Sequence, residues 1–389
     1  MASPPPGLKV RQRTLVSARA RQTELPPQLQ QYVQTGEALL AEPFKGITAG
    51  GSVAPGLFPI KKTGVATRGI TDAGRAFVDS LSEPQRERAL FPLESDAWRR
   101  WSNIHPFLMR HGVSLDELSA TQRERALALL RESLSAHGFK TARDIMRLND
   151  LVLAITGSQA EYGEWLYWLS VMGIPSFDGP WGWQIDGHHL IVNCFVLGDQ
   201  VVMTPMFMGS EPVMAHEGPY AGTRVFQAEE RQGLALMRAL TPEQRQRALI
   251  GTELPGEVFT AAFRDNFEMK YQGIATGDLT TIQQRMLLDV LDTYIGRIRA
   301  GHSEVKRNEI KRHLAQTFFG WMGGTDEDSV FYYRIHSPVI VIEFDHQRGI
   351  AFDNDVPSRN HIHTVVRTPN GNDYGRDLLR QHYEQHHRI

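Results

Sequence analysis

Gly182-Trp183-Gln184-Ile185-Asp186-Gly187-His188-His189-Leu190-Ile191-Val192-Asn193 sets two adjacent histidines in a run of strand-forming residues. As a single β-strand it alternates its side chains between two faces. His189, Ile191 and Asn193 then share one face with Trp183, while His188, Leu190, Val192 and Cys194 share the other. Only one of the two histidines faces a given site, unless a bulge after Gly187 turns both the same way. Farther on, Leu197-Gly198-Asp199-Gln200 separates the apolar runs 191–196 and 201–206, which is a hairpin signal. A second block of strands is expected at residues 330–335, 339–344 and 361–367.

Helices dominate around these blocks. Leu-[Ser/Thr]-x-x-Gln occurs at Leu81, Leu118, Leu240 and Leu279, the pattern of a capping box in which hydroxyl and amide side chains satisfy the first helical N–H groups. The irregular spacing of the four copies argues against a solenoid. Leu127, Leu130 and Leu134 mark one helical face; Met286, Val290, Tyr294 and Ile298 mark another; Ile310, Leu314 and Phe318 continue the theme in a further helix. The expected fold is α+β, an antiparallel sheet built from two distant strand blocks and packed with several capped helices. Residues 1–34, rich in Pro, Arg and Gln, are expected as a mobile N-terminal tail or a strap across the surface. Residues 35–389 form a single α+β metal-binding catalytic domain, with helices over about 71–175 and 227–322 and strands over about 181–207 and 330–367. A last helix covers 374–386, with His382, His386 and His387 on or past it and exposed.

Composition narrows the functional classes. The 42 basic and 44 acidic residues leave a net charge of −2, so nothing draws the chain in bulk to nucleic acid or membrane. The single cysteine, Cys194, excludes an intrachain disulfide and a thiolate-rich metal site, and reads as a buried structural thiol. No stretch reaches the roughly eighteen apolar residues of a membrane span, and the N-terminus lacks a secretory apolar run, so a cytoplasmic location is expected. Neither a nucleophile elbow, nor a phosphate-binding loop, nor a dinucleotide-type glycine pattern is present, so no nucleotide cofactor is expected.

The polar groups that interrupt apolar strands point to a metal. His361 and His363 share a face with Val365, and Glu343 and Asp345 share a face with Val341. The order of preference for ligands is His361, His363 and Glu343, then His189 and His188, then Asp345; Asn193 and Asn360 are the candidates to orient imidazoles. Each histidine alone reads more simply as a satisfied core or surface group. The set reads as a metal site, because burying bare imidazoles and carboxylates costs several kcal/mol. Histidine and carboxylate without thiolate suit iron, manganese, copper or zinc, and the set is large enough for one ion or two.

At Gly187-His188-His189-Leu190, Glu343-Phe344-Asp345 and Asn360-His361-Ile362-His363-Thr364-Val365 the chain resembles a bacterial and fungal family known only as domain of unknown function 3500. Gly56-Leu57-Phe58-Pro59-Ile60, Thr204-Pro205 and Asp377-Leu378-Leu379-Arg380-Gln381-His382-Tyr383 fit it too, and the resemblance spans roughly residues 50–387. It departs from the family at Asp345-His346-Gln347-Arg348 and an insertion at 349–359, which leaves open whether His346 adds to the site or caps it. The family name implies no activity.

The mixed ligand types are similar to those of nonheme diiron or other dinuclear centres, but carried on strands rather than on a four-helix bundle. An oxygenase is the favoured reading: nonheme iron, one ion or two, hydroxylating a small apolar metabolite with the help of an electron donor. Trp181, Trp183 and Phe207 are its candidate substrate pocket, among the aromatic and Met residues that flank the ligands (Trp165, Trp168, Met203, Met206, Met208). The rival is a zinc or manganese hydrolase in which Asp345 or Glu217 serves as base, although His216-Glu217-Gly218-Pro219-Tyr220 reads first as a turn. The third reading is a metal-free binding protein.

Overall fold

The computed structural model describes residues 2–106, 108 and 111–386; His387 lies outside them. Its strands are β1 (Leu90–Phe91), β2 (Val113–Ser114), β3 (Tyr167–Met172), β4 (Trp181–Gly187), β5 (Leu190–Leu197), β6 (Gln200–Val202), β7 (Met206–Ser210), β8 (Ile274–Ala275), β9 (Phe318–Gly323), β10 (Phe331–His336), β11 (Val341–Gln347) and β12 (Ser358–Arg367). Its helices are α1 (Pro27–Leu40), α2 (Arg68–Ser80), α3 (Glu83–Ala89), α4 (Ala120–Ser133), α5 (Ala136–Thr156), α6 (Gln227–Ala239), α7 (Pro242–Ala248), α8 (Thr281–Ile295), α9 (His302–Arg312) and α10 (Arg376–His386). None of the described helices is long and apolar enough to cross a membrane.

All four expected capping boxes form, on Ser82, Ser119, Thr241 and Thr280. They are arranged in two pairs. Gln122 Nε2 donates to Gln85 Oε1 at 2.7 Å, tying the start of α4 to that of α3, and Gln283 Nε2 donates to Gln244 Oε1 at 2.8 Å, tying α8 to α7. The pairing reveals a repeated plan. Gln85-Arg-x-Arg-Ala-Leu90 and Gln244-Arg-x-Arg-Ala-Leu249 each end a short helix, and Leu90 then pairs parallel with β3 as Leu249 does with β9. Each half follows its helices with an antiparallel run: β3-β4-β5-β7 in the first, β9-β10-β11-β12 in the second.

The two runs join through β7 and β12 into one sheet of order β1-β3-β4-β5-β7-β12-β11-β10-β9-β8, with β2 beside β3 and β6 beside β5. All the strand pairs are antiparallel except β1 with β3. The α+β class stands. The strand blocks lie closer together in sequence than expected, because β3 and β9 fall where helix was read. Tyr167–Met172 is a short apolar run on which strand and buried helix look alike, and the stripe assigned to Ile310, Leu314 and Phe318 breaks after Arg312 into a single 3-10 turn and then β9.

The sheet's two faces differ in what covers them. Trp181, Trp183, Cys194, Met206, Val366 and Tyr333 point to one face, where Trp181 meets Gly74 of α2 and Tyr333 meets Gly233 of α6 and the Tyr294 hydroxyl of α8. The other face carries Gln184, Asn193, Phe207, His363, Asp345 and Glu343, and irregular segments cover it. Arg367 at the end of β12 fastens that cover. Its guanidinium, buried, donates to Asp265 (2.6 Å), Asp373 (2.7 Å) and the Thr260 carbonyl (2.9 Å), while Arg99 donates to the other oxygen of Asp265 (2.8 Å). Arg367→Met leaves the buried Asp373 carboxylate without its ion partner and Asp265 with Arg99 alone, and should cost about 3–5 kcal/mol of folding free energy in denaturant titration; a loss within the error of the titration would contradict this role.

The first residues run as a strap rather than standing free. Val10 bridges Phe352, the Arg11 amide donates to the Ala351 carbonyl (2.8 Å), and Arg13 grips Glu161 with two hydrogen bonds of 2.8 and 2.9 Å. Proline-rich and charged composition does not register such single anchors. Burial alone would raise the Glu161 carboxyl, but contacts from His105, Arg13 and the Val16 amide outweigh it and bring its pKa from 4.5 to about 2. A depressed carboxylate stabilises the docked strap fully above about pH 4.5, and that stabilisation fades as pH falls toward about 2. Amide-exchange protection of residues 10–16 should follow that course, and Glu161→Gln should lower it even at neutral pH; protection indifferent to both would refute the anchor.

Candidate metal centre

The histidine pair lies in a two-residue turn, not within a strand. β4 ends at Gly187 and β5 begins at Leu190, and His189 takes φ 61°, a left-handed conformation uncommon for a residue with a side chain. The strand alternation expected here therefore does not apply. The His189 amide donates to the Asn103 carbonyl (3.1 Å), and its own carbonyl accepts from the Gly209 amide (2.8 Å), so the turn is tied on two sides. Gly209 is paired in turn with His363.

His189, His361 and His363 converge. Their Nε2 atoms form a nearly equilateral triangle with edges of 3.1, 3.0 and 3.0 Å, and all three residues are buried. The outward nitrogens are engaged: His361 Nδ1 lies 2.7 Å from the Arg348 carbonyl, and His363 Nδ1 lies 2.7 Å from Glu257 Oε1. A carbonyl can only accept, so His361 carries its proton on Nδ1 and presents a bare lone pair at Nε2. The Glu257 carboxylate imposes the same tautomer on His363. The lone pairs of His361 and His363 turned toward one another cannot satisfy each other, and the three converging nitrogens could hold a metal ion. Nitrogens bound at about 2.0–2.1 Å to one ion are themselves about 3 Å apart, which this trio matches. Burial, reinforced by the neighbouring histidines, lowers His189 and His361 well below the ordinary imidazole range, which keeps them in the neutral, ligating form.

The other expected residues are placed as follows. His188 stacks on His189 with ring centroids 3.9 Å apart, and its Nδ1 lies 2.8 Å from Asn149 Oδ1, so it braces a member of the trio from behind. Glu343 is saturated: Phe259 and Thr260 amides, the Thr260 hydroxyl and the Tyr332 hydroxyl all donate to it, at 2.5–2.9 Å. Asp345 stands directly across from His363 in the β11–β12 register, on the same face, outside the triangle. Its Oδ1 is buried without a hydrogen-bond partner among the described residues, and Gln347 donates to Oδ2. Burial first, then the charges of Glu257 and Glu343, raise the Asp345 carboxyl well above its ordinary range.

Asn193 holds β4, β5 and the start of β7 together through Gln184 and the Pro205 carbonyl, and the Asn360 side-chain nitrogen is buried without a hydrogen-bond partner among the described residues. Phe207 does stand at the site, its ring 5.0 Å from that of His363, whereas Trp181 and Trp183 point to the helical face. Glu217 is exposed and accepts from the Ser3 amide at 2.5 Å, outside the cluster. His346 accepts from the Phe331 amide and meets Glu230 at 2.9 Å, also outside it.

Sequence reading missed Glu257, Asn149 and Gly209. Glu257 sits in a turn-rich stretch with no motif, and no spacing rule links it to His363. Its side chain is 37% exposed, so this flank of the trio reaches solvent. Gly209 has a steric reason. A Cβ there would lie 2.9 Å from the His363 ring and 3.2 Å from that of His189, wedging apart two of the three nitrogens.

The molecule is thus an α+β protein that carries a buried three-histidine cluster at the centre of its sheet. The chain belongs to the family described as protein of unknown function (DUF3500), whose model matches residues 63–376. No curated protein and no solved structure matches it.

Two substitutions probe the cluster without touching a ring. Gly209→Ala should abolish tight metal uptake in a folded protein, and Glu257→Gln should weaken it about 10–100-fold. Unchanged binding isotherms for both would show that the trio does not act as a ligand set.

Proposed function

We propose that this chain is an enzyme working through one divalent transition-metal ion held by His189, His361 and His363. The observation that carries the reading is the inward-facing Nε2 triangle with edges of 3.0–3.1 Å. Three neutral imidazoles and no thiolate suit zinc, iron or copper, and a three-histidine set with its remaining position open is a recurrent zinc arrangement. When bound, such an ion supplies a Lewis acid and a water whose pKa is brought to about 7. Glu257 and the Arg348 carbonyl fix the two imidazoles of β12, and His188 fixes the third by stacking. Asp345, beside His363 with a free buried oxygen, is the candidate to give a proton to a leaving group. Glu343, with every lone pair engaged, positions the 257–260 segment from which Glu257 reaches His363.

Hydrolysis of a small substrate, with zinc as the ion, is therefore the reading we put first. The aromatic and methionine residues that favour an oxygenase in the sequence lie largely on the helical face, with Trp181, Trp183 and Met206 among them. An iron-dependent hydroxylation remains the second reading, because Phe207, Ile191 and Val365 give the trio apolar neighbours on its own face. Trp183→Leu leaves either chemistry intact on this account.

Metal analysis of the untagged protein tests both readings. Wild-type protein loaded with zinc or ferrous iron should retain about one ion per chain, and His361→Ala and His363→Ala should retain almost none. Asp345→Asn should keep the ion and lose turnover on ester or phosphoester substrates by about 10²-fold or more. Activity only with iron and dioxygen would replace the hydrolase with the oxygenase. No retained metal in wild-type protein would end both.

A further inference from the structure

A second cavity lies on the opposite face of the same two strands. Met206 and Val366 are paired in the β7–β12 register three steps from Gly209 and His363, and by alternation they point away from the trio. Each step advances about 3.3 Å, so this cavity begins about 10 Å along the strands and on the other side of the sheet. It measures about 60 Å³ and opens to solvent at one end. Met203, Met206, Ile295, Val305, Ile340 and Val366 give it an aliphatic interior between α8, α9 and the sheet.

Its wall is built rather than incidental. The segment from Leu57 to Thr63 closes one side and is held there by hydrogen bonds: Gln381 Nε2 to the Phe58 carbonyl (2.8 Å), the Lys61 amide to Gln200 Oε1 (2.8 Å), and the Thr63 amide to Asp199 Oδ2 (2.8 Å). At the mouth stand Lys61, Lys306, Arg312 and Glu309. Lys306 is already engaged by Glu309 (2.6 Å) and the Val339 carbonyl (2.8 Å), which leaves Lys61 and Arg312 as exposed cations without an ion pair among the described residues.

One polar group in the lining is left unsatisfied. His302, the first residue of α9, is only 5% exposed, and its Nε2 has no hydrogen-bond partner among the described residues. The ring is hydrogen-bonded to the Ala66 backbone, which takes the proton of Nδ1 and leaves Nε2 as an acceptor. A buried acceptor without a donor is costly, and a ligand hydroxyl would remove that cost.

We propose that this cavity is a binding site for a short aliphatic carboxylate bearing a hydroxyl. Its chain fills the methionine- and isoleucine-lined interior, its carboxylate meets Lys61 and Arg312 at the mouth, and its hydroxyl donates to His302 Nε2. The site stands independently of whether the histidine trio holds a metal.

Calorimetric titration with 4-hydroxybutanoate, butanoate and 1,4-butanediol, whose chains suit a cavity of about 60 Å³, tests it. The hydroxy acid should bind saturably at one site per chain, and more tightly than either comparison compound. Lys61→Ala and Arg312→Ala, both at exposed positions, should each weaken it about tenfold or more while leaving the diol unaffected. His302→Phe should erase the advantage of the hydroxy acid over butanoate. Absence of saturable binding, or equal affinity for the three compounds in the wild-type protein, would overturn the proposal.

Discussion

Antiparallel pairing of β7 with β12 is the constraint on which the rest of the structure depends. It joins two halves that each have their own capped helices and their own four-stranded run, and it covers what would otherwise be an open edge on each. It also makes the site. His189 comes from the turn of one half and His361 and His363 from the last strand of the other, with Gly209 between them as the only residue type that lets the rings meet. A slip of one residue along this pair would send His363 into the helical face and Thr364 into its place. The apolar residues that alternate with the histidines, Ile362 and Val366 among them, hold the register through burial against the helices.

The loop-covered face shows how polar groups in a sheet separate by what satisfies them. Glu343 is met by four donors, Arg367 by two carboxylates and a carbonyl, and Gln184 by Asn193 and the Trp98 carbonyl. These are closed accounts that fix the cover on the sheet. The three Nε2 atoms face one another, and Asp345, whose Oδ1 has no hydrogen-bond partner among the described residues, stands across from His363. Strand position alone does not distinguish Glu343 from Asp345; the donors brought by residues 257–260 do.

Much of the fold was legible because its signals are local. Four capping boxes needed only a hydroxyl and a glutamine three residues apart, and the β5–β6 hairpin needed only Gly198 between two apolar runs. The doubling of the plan was written more faintly, in Gln-Arg-x-Arg-Ala-Leu at Gln85 and Gln244, and spacing within a single list of boxes conceals it. β3 and β9 escaped because a six-residue apolar run has too few turns to show a period. In the site, His361-x-His363 was readable from strand alternation, whereas the bond from Glu257 and the room left by Gly209 arise from contacts across more than a hundred residues of chain.

The doublet His188-His189 shows where pattern gives way to geometry. On a strand, adjacent residues diverge, and one histidine would be lost to the other face. In a tight turn with the second residue left-handed, the rings instead stack 3.9 Å apart, and only His189 reaches the centre. His188 is held in turn by Asn149, and Tyr162 and His105 rings pack around it at 5.5 and 5.9 Å. His105 leads on to Glu161 and the strap residue Arg13. A ligand presented on a turn would ordinarily be looser than one on a strand. Here a stacked ring and a buried polar chain behind it give the turn histidine a backing comparable to that of the two on β12, so all three nitrogens are held in place by the protein alone.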